Sequence, residues 1–499
     1  MTTTTEATIA RQLIDGEFTP GSGATEEVFD PATGRVLAVV RHSTEAEVDA
    51  AVRAAAAAFP SWAETPVPDR AEVMFRYKAL LEAHAEELAE LVTAENGKML
   101  AEARGEVRRG IEVVAVACGA PTLLLGTALD QIAKGIDEEL VRFPVGVVAG
   151  ICPFNFPMMV PLWMLPLALV AGNTFVLKPS PRTPLSAVRE LELLVEAGLP
   201  RGVVNLVHGD RAPVEALLAH PLVDAVSFVG SAGVARNVYA AAAGAGKRVQ
   251  ALGGAKNHLI VMDDADLDQT VPAVLGSAFG NAGQRCLAGS VVVAVGAAGD
   301  RLVDALATSA AALRLGPGTD PSAQLGPVIR APRVTELSDA IAEGEKAGAA
   351  LLVDGRERTR DEGFFLGASL FDHVTEEMSL WRDELFGPVL SVVRADSLDD
   401  ALGHLNASRY GNAASIFTRS GGAARTFKRR AEAGMLGINV GVAAPMSFFP
   451  FCGWKASFFG DLHATGADGV RFYTRSKVVT SRWFDTGALD EDAPEGRGH

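Results

Sequence analysis

Residues 143–177 contain no Asp, Glu, Lys or Arg. A run of that length has to leave water, either for a bilayer or for a protein interior. Pro144, Pro153, Pro157, Pro161 and Pro166 decide between the two. Each removes a backbone donor, and a lipid-exposed segment has nothing to replace it with. The run therefore reads as buried strand, loop, buried helix and second strand rather than as a membrane span. VGVVAGIC is the first strand, PLWMLPLALVAG the helix with Pro161 tolerated in its first turn, and NTFVLKP the second strand.

The same alternation continues downstream. LSAVRELELLVEAG is an amphipathic helix ending in Gly, and VVNLVHG, VEALLAHP, AVSFVG and VARNVYAAAAG follow in turn. Repeated βαβ units predict an α/β fold with a parallel, doubly wound sheet. A second α/β region begins near Lys256, with HLIVMDDADLDQTVPAVLGSAF, VVVAVG, a helix near Asp300 to Leu313, and DELFGPVLSVV. Upstream, LIDGEF carries an Asp-Gly hairpin turn, and Thr44 with Glu47 forms a capping box before AEVDAAVRAAAAAF. One long helix is expected from Asp69 toward Asn96-Gly97, and another over Glu102 to Ala117. No internal repeat is evident. No Ser/Gly-rich linker separates the regions, so they should pack tightly. The final DTGALDEDAPEGRGH is polar and acidic and reads as a frayed tail.

A chain of 499 residues exceeds one ordinary core, which implies at least two domains. The net charge of −16 argues against binding nucleic acid or an anionic membrane broadly, but leaves room for a local basic pocket. Cys118, Cys152, Cys286 and Cys452 are widely spaced. They form neither a metal motif nor a disulfide framework, which suits a reducing, cytoplasmic setting. The segment MTTTTEATIARQLIDGEF has no apolar run and carries Glu6 and Asp15, so no signal or transit peptide is expected.

Four places carry chemistry, each with a plainer reading beside it. Gly230 and Ser231 stand at a strand-to-helix junction, where free N–H groups suit a pyrophosphate. No GxGxxG accompanies them, and an ordinary tight turn fits equally. Lys178 follows a strand end, where ligands bind in doubly wound sheets; a solvated lysine is the alternative. Asn155, in CPFNFP, offers an amide donor in an apolar wall, as an oxyanion hole needs; bonding its own turn is the commoner use. Cys286 follows a small, Gly-flanked polar loop that can leave its thiol accessible, and Arg285 beside it favours the thiolate. Cys118 and Cys152 fit inert buried positions, and Cys452 is ambiguous.

FNFP, LKPS, FVGS, LGGAK, GQRC and DELFGPV occur in this order at family-like spacing. Together they resemble the aldehyde dehydrogenase superfamily. PFNFPMMVPLWMLPLALVAGNTFVLKPS, ALGGAKNH, AGMLGINVGVAAPMSFFPF and GWKASFFGDLHATG resemble its CoA-acylating, methylmalonate-semialdehyde dehydrogenase branch, from about Leu13 to Val479. The resemblance implies a dinucleotide-binding domain over 1–125 and 145–253 and an α/β catalytic domain over 254–455. It also implies a small β oligomerisation ribbon over 126–144 and 470–490, whose late strand pairs across subunits in a homodimer or homotetramer.

The resemblance also implies roles. Cys286 matches the nucleophile and Asn155 the oxyanion donor. Lys178 and Ser231 match contacts to adenosine ribose and pyrophosphate, and Glu384 and Phe386 the nicotinamide-ribose clamp. Cys152, Phe154, Arg182 and Gly253 match other dinucleotide-lining positions. Arg109 and Arg285 match cations for a substrate carboxylate; without the resemblance, Arg109 would read as a helix charge pairing Glu106 or Glu112. Two positions depart from the wider family. Ala251 stands where hydrolytic members carry a Glu base, as expected of the CoA-acylating branch. Pro181 stands where a ribose-binding Glu is usual, which leaves NADP open beside NAD.

The implied reaction is NAD-dependent oxidation of methylmalonate or malonate semialdehyde, with CoA as co-substrate. It passes through a Cys286 thioester to propionyl-CoA or acetyl-CoA and CO2, chemistry of valine and inositol catabolism. A hydrolytic enzyme releasing a free acid and a catalytically silent protein of the same fold are the competing expectations.

Overall fold

The computed structural model describes residues 8–484. The acidic tail, and the part of the expected 470–490 segment beyond residue 484, lie outside the described residues.

The uncharged run forms the centre of the first sheet. Strand Val147–Ile151 is wholly buried, with Thr174–Lys178 parallel on one side and Ala225–Val229 parallel on the other. The chain moves outward through Val204–Leu206, then reverses and adds Arg248–Leu252 at the far side. That reversal opens a crevice beyond the carboxyl ends of the central strands. Hairpin Gln12–Ile14/Glu17–Thr19, turned through Asp15 and Gly16 at positive φ, closes one edge as the Asp-Gly pair predicts. Phe458–Gly460 closes the other edge antiparallel.

Helix Met159–Val170 is buried from Val160 to Val170, with Pro166 inside it. Leu162, Leu165 and Leu169 are wholly enclosed, each contributing roughly 1.5–3 kcal/mol. It packs on helix Leu100–Cys118, where Gly110 admits Leu162: a Cβ there would lie 2.6 Å from Leu162 Cδ1. No helix among the described residues is long and apolar enough to cross a membrane.

The single helix expected from Asp69 to Asn96 is two helices, Val67–Ala83 and Ala85–Asn96. His84 leaves helical geometry at φ −104°, ψ 15°, and its Nδ1 lies 2.6 Å from Glu87 Oε2 in the next turn. Apolar periodicity runs through such a kink without a signal. The capping box is as expected: the Thr44 side chain and Glu47 bond each other's backbone N–H, and helix Glu45–Glu64 follows.

The second sheet runs Ala350–Val353, Ser369–Asp372, Val389–Ala395, Gly289–Val295, Asn257–Val261, Ala413–Phe417, Met435–Ile438. Only its first strand is antiparallel. Leu287, Ala413 and Met435 belong to the same apolar cluster as the helices beneath the first sheet, so the two α/β regions are packed together, while the second sheet keeps an apolar core of its own. A third sheet joins Thr127–Ala133, Ile136–Pro144 and Thr474–Arg482. The late strand stands at the edge of this sheet and pairs on one side within the chain, from Thr474 opposite Pro144 to Arg482 opposite Ile136.

Candidate active site

Cys286 sits in the loop between helix Leu267–Phe279 and strand Gly289–Val295. Three left-handed residues lead into it: Asn281 and Ala282 at φ 50° and Gly283 at φ 69°. Such backbone costs on the order of 1–3 kcal/mol at a non-glycine residue and persists only where surroundings enforce it. Gly283 is forced by space as well, since a Cβ would lie 2.1 Å from the Gly387 carbonyl oxygen. Amide side chains pin the loop further on. The Cys286 carbonyl accepts from Asn257 Nδ2 at 2.9 Å and Asn412 Nδ2 at 2.8 Å.

Asn155 is buried and reaches this loop rather than only its own turn. Its Nδ2 donates to the Gln284 carbonyl at 2.9 Å, two residues before Cys286. One amide hydrogen is thereby used and one is left. Asn281 Nδ2 bridges the pair, donating to the carbonyls of Asn155 at 3.2 Å and Gln284 at 3.3 Å.

Beside Cys286 opens a cavity of about 420 Å³, lined also by Arg109, Arg285, Phe156, Trp163 and Phe451. Arg285 donates to the carbonyls of Gly276 and Ser277 at the end of a helix, and burial pulls its pKa down. Arg109 bonds Glu112 Oε2 at 3.2 Å, not Glu106, and is about one-third exposed. Both arginines border the cavity.

Arg285 pulls the Cys286 thiol toward the thiolate, as expected, but burial opposes it more strongly. Burial pushes the Cys286 thiol up to about 12, Glu384 adds to the rise, and the pull of Arg285 is too small to offset them. Cys118 and Cys152 are buried with thiols raised by burial, as expected of inert positions.

The residues matched to dinucleotide contacts begin at a strand end. Lys178 closes its strand and is buried, not solvated: Nζ donates to the Gly209 carbonyl at 2.7 Å, and burial lowers its pKa to about 8. Pro181 and Arg182 form the turn that follows, with the Arg182 guanidinium 5.6 Å from the Phe154 ring centre. Phe386, at φ 51°, meets Phe154 edge-on at 5.9 Å. The Cys152 N–H donates to the Lys178 carbonyl at 3.0 Å, which fixes the start of the loop that carries Phe154 and Asn155. Ser231 precedes helix Ala232–Gly244 and leaves its side chain uncommitted to the cap. Gly253 lets two backbones meet, since a Cβ would lie 2.8 Å from the Ala456 carbonyl.

Glu384 Oε1 accepts from the Ala255 N–H at 2.9 Å. Burial raises its carboxyl from 4.5 to about 7 against the pull of that bond and of Lys256. The folded chain then holds a proton that the unfolded chain releases from about 4.5 upward, so stability falls as pH climbs from about 4.5 to about 7. Glu384→Gln is expected to flatten part of that fall in Tm measured against pH. Glu95, also raised to about 7 by burial, and Glu190, raised further by burial, add to the same slope and remain in that variant. An unchanged profile would show Glu384 to be as freely ionised in the fold as outside it.

Sequence reasoning missed four residues that hold the site: Asn257, Asn412, Lys98 and Glu106. Asn257 stands inside a quoted motif, AKNH, but its bond to the Cys286 carbonyl spans the loop and has no local signature. Lys98 and Glu106 are 1% and 0% exposed at the side chain and bond at 2.5 Å, a pairing that charge patterning does not reveal. Ala251 lies wholly buried on Arg248–Leu252, opposite Phe228 and Phe459, and supplies no carboxylate.

The profile of the aldehyde dehydrogenase family matches residues 18–479. A malonate-semialdehyde dehydrogenase of Geobacillus kaustophilus is 56% identical over 483 residues, covering 96% of this chain and all of that protein. One from Halalkalibacterium halodurans is 54% identical over 475 residues, 95% of this chain and 98% of that protein. The crystal structure of a methylmalonate-semialdehyde dehydrogenase from Oceanimonas doudoroffii is 50% identical, with TM-score 0.94 over 96% of this chain and 99% of that one. A Sinorhizobium meliloti structure described as such an enzyme complexed with NAD is 45% identical, with TM-score 0.94 and the same coverage.

Proposed function

The chain belongs to the aldehyde dehydrogenase family, and on that premise we propose that it oxidises malonate semialdehyde and its methyl homologue to acyl-CoA and CO2, with NAD and CoA. One observation carries the reading: Cys286, Arg109 and Arg285 line a single cavity that Phe156, Trp163 and Phe451 also line. A nucleophile beside two cations suits an aldehyde that also bears a carboxylate. Bound NAD would supply the hydride acceptor, and the residues beyond the strand ends fit it. They comprise a helix N-terminus with an uncommitted Ser231, the Lys178 ammonium, the glycine contact at Gly253 and the Glu384 carboxyl. Phe386 and Arg182 both meet the Phe154 ring, and the Cys152 N–H fixes the start of the loop that carries it. Pro181 offers no carboxylate to a ribose, so NADP stays open.

In this mechanism Cys286 loses its proton and attacks the aldehyde carbon. The free amide hydrogen of Asn155 and a backbone N–H of the loop stabilise the alkoxide. Hydride departure leaves a thioester on Cys286. With methyl-bearing Ala251 near the strand end, no carboxylate from that position activates water, and the thiol of CoA takes the acyl group. The β-carboxylate leaves as CO2, because the carbanion left behind delocalises into the thioester, and a proton from water then completes the acetyl or propionyl group.

Product analysis with both semialdehydes, NAD or NADP, and CoA present or absent tests the reading; acyl-CoA appearing only with CoA is expected. A hydrolytic enzyme is the second reading. Glu384 favours it, a carboxyl held near 7 and close enough to raise the Cys286 thiol. Free acid formed at the same rate without CoA would select it.

Arg109→Leu or Arg285→Leu is expected to weaken use of malonate semialdehyde at least about tenfold more than use of propanal, as loss of a charge-assisted contact does. Comparing kcat/KM on the two aldehydes checks this, and equal losses would remove both arginines from carboxylate recognition.

We take the ribbon as the oligomerisation surface of a homodimer or homotetramer. It exposes Leu129, Ile132, Val478 and Trp483. The division into a dinucleotide-binding domain, a catalytic domain and this ribbon is part of the same proposal.

A further inference from the structure

The loop that carries Asn155 is held at both ends by one buried ion pair. Lys98, just past the left-handed stop at Gly97, donates from Nζ to the Asn155 carbonyl at 2.7 Å. The same ammonium bonds Glu106 Oε2 and lies 4.2 Å from the centre of the Phe156 ring, the residue after Asn155. The other oxygen of Glu106 takes the far end of the loop: Oε1 accepts from the N–H groups of Met158 at 3.0 Å and Met159 at 3.1 Å. Those N–H groups open helix Met159–Val170 and would otherwise be unsatisfied in an apolar interior. Residues 155–159 are therefore clamped between a cation and an anion that are bonded to each other.

The clamp bears on the reacting centre. The Asn155 carbonyl accepts from Lys98 Nζ and Asn281 Nδ2, while its side-chain amide donates to Gln284 in the Cys286 loop. With the carbonyl fixed on one side and the amide on the other, the second amide hydrogen has one direction left. Lys98 and Glu106 both border the cavity that Cys286 lines. A buried ion pair is weak as a source of stability, because desolvation offsets its attraction; fixing one geometry is its better use.

We propose that Lys98, paired with Glu106, is a positioning residue that aims the Asn155 amide at the alkoxide formed on attack by Cys286. The inference rests on the reading of Asn155 and Cys286 given under Proposed function. Lys98 acts through Asn155 and touches no reacting atom. Removing it leaves the Asn155 carbonyl to the longer 3.2 Å bond from Asn281 Nδ2, and the loosened carbonyl lets the amide turn with it.

The test is a double-mutant cycle on the NADH burst of the full-length enzyme with propanal, which needs no carboxylate grip. Lys98→Met is expected to slow the burst about 10²-fold, the scale of a misaligned oxyanion donor. NAD affinity and the alkylation rate of Cys286 by iodoacetamide should stay within about twofold. In an Asn155→Ala background, Lys98→Met should cost almost nothing more, because what it positions is gone. Lys98→Arg keeps the charge and the Glu106 partner and covers the case in which the Met variant does not fold; it should slow the burst while recovering soluble enzyme. A burst within twofold of wild type in either folded variant overturns the proposal, and so does a full further loss in the Asn155→Ala background. A wild type that shows no burst overturns instead the reading on which it rests.

Discussion

Cys286→Ala is expected to lower aldehyde oxidation by at least about 10⁴-fold while NAD binds as before, because no other thiol among the described residues lines the cavity. Cys118 and Cys152 are buried. Cys452 is partly exposed but bonds back toward the Pro450 carbonyl at 3.5 Å. The substitution removes one sulfur from a loop held by Asn257, Asn412 and Asn155, so the fold around it should persist. Steady-state NADH formation and NAD titration by fluorescence quenching measure the two quantities. Turnover within tenfold of wild type would take the nucleophile role from Cys286.

The resting protonation state adds a second readout. With the thiol pushed up to about 12 by burial, the thiolate fraction below that value rises about tenfold per pH unit. Iodoacetamide should therefore modify Cys286 slowly at neutral pH and about tenfold faster for each unit of rise, with the Cys286→Ala protein as background. A rate already flat at neutral pH would mean that Arg285 overcomes burial after all.

Much of the fold was legible because the strongest constraints were local. An uncharged run broken by prolines had only one soluble arrangement, and the strand, helix and strand appear at Val147–Ile151, Met159–Val170 and Thr174–Lys178. Thr44 with Glu47 and Asp15 with Gly16 were read correctly because a cap and a two-residue turn involve neighbours only. The helix break at His84 was missed because the same apolar stripe continues on both sides. Lys178 looked equally like a surface lysine, since its buried partner is a carbonyl, at Gly209, that no pattern singles out. The ordered set of motifs brought Cys286 and Asn155 forward. Neither the motifs nor charge spacing indicated that Lys98, Glu106, Asn257 and Asn412 hold them, because those bonds join segments far apart in the chain.

The second large effect concerns release of the acyl group. Adding CoA to wild-type enzyme with malonate semialdehyde and NAD is expected to raise steady-state turnover by about 10²-fold or more, the scale of an absent general base. Without CoA, one NADH per active site should form in a burst, followed by a slow phase while the thioester persists on Cys286. Water is a poor nucleophile, and Ala251, wholly buried between Phe228 and Phe459, has no group to activate it. A thiol near its usual pKa of about 8.5 is already partly ionised at neutral pH and needs less help. Glu384 is the carboxyl most able to upset this expectation, and its raised pKa gives the control. Held near 7, it would be an effective base only above that pH. A CoA-independent rate that climbs through pH 7 and is lost in Glu384→Gln would identify it as the hydrolytic base. A burst followed by a slow phase that stays flat across that range leaves thiolysis as the exit, and quenched enzyme from that phase should carry the acyl mass on the peptide containing Cys286.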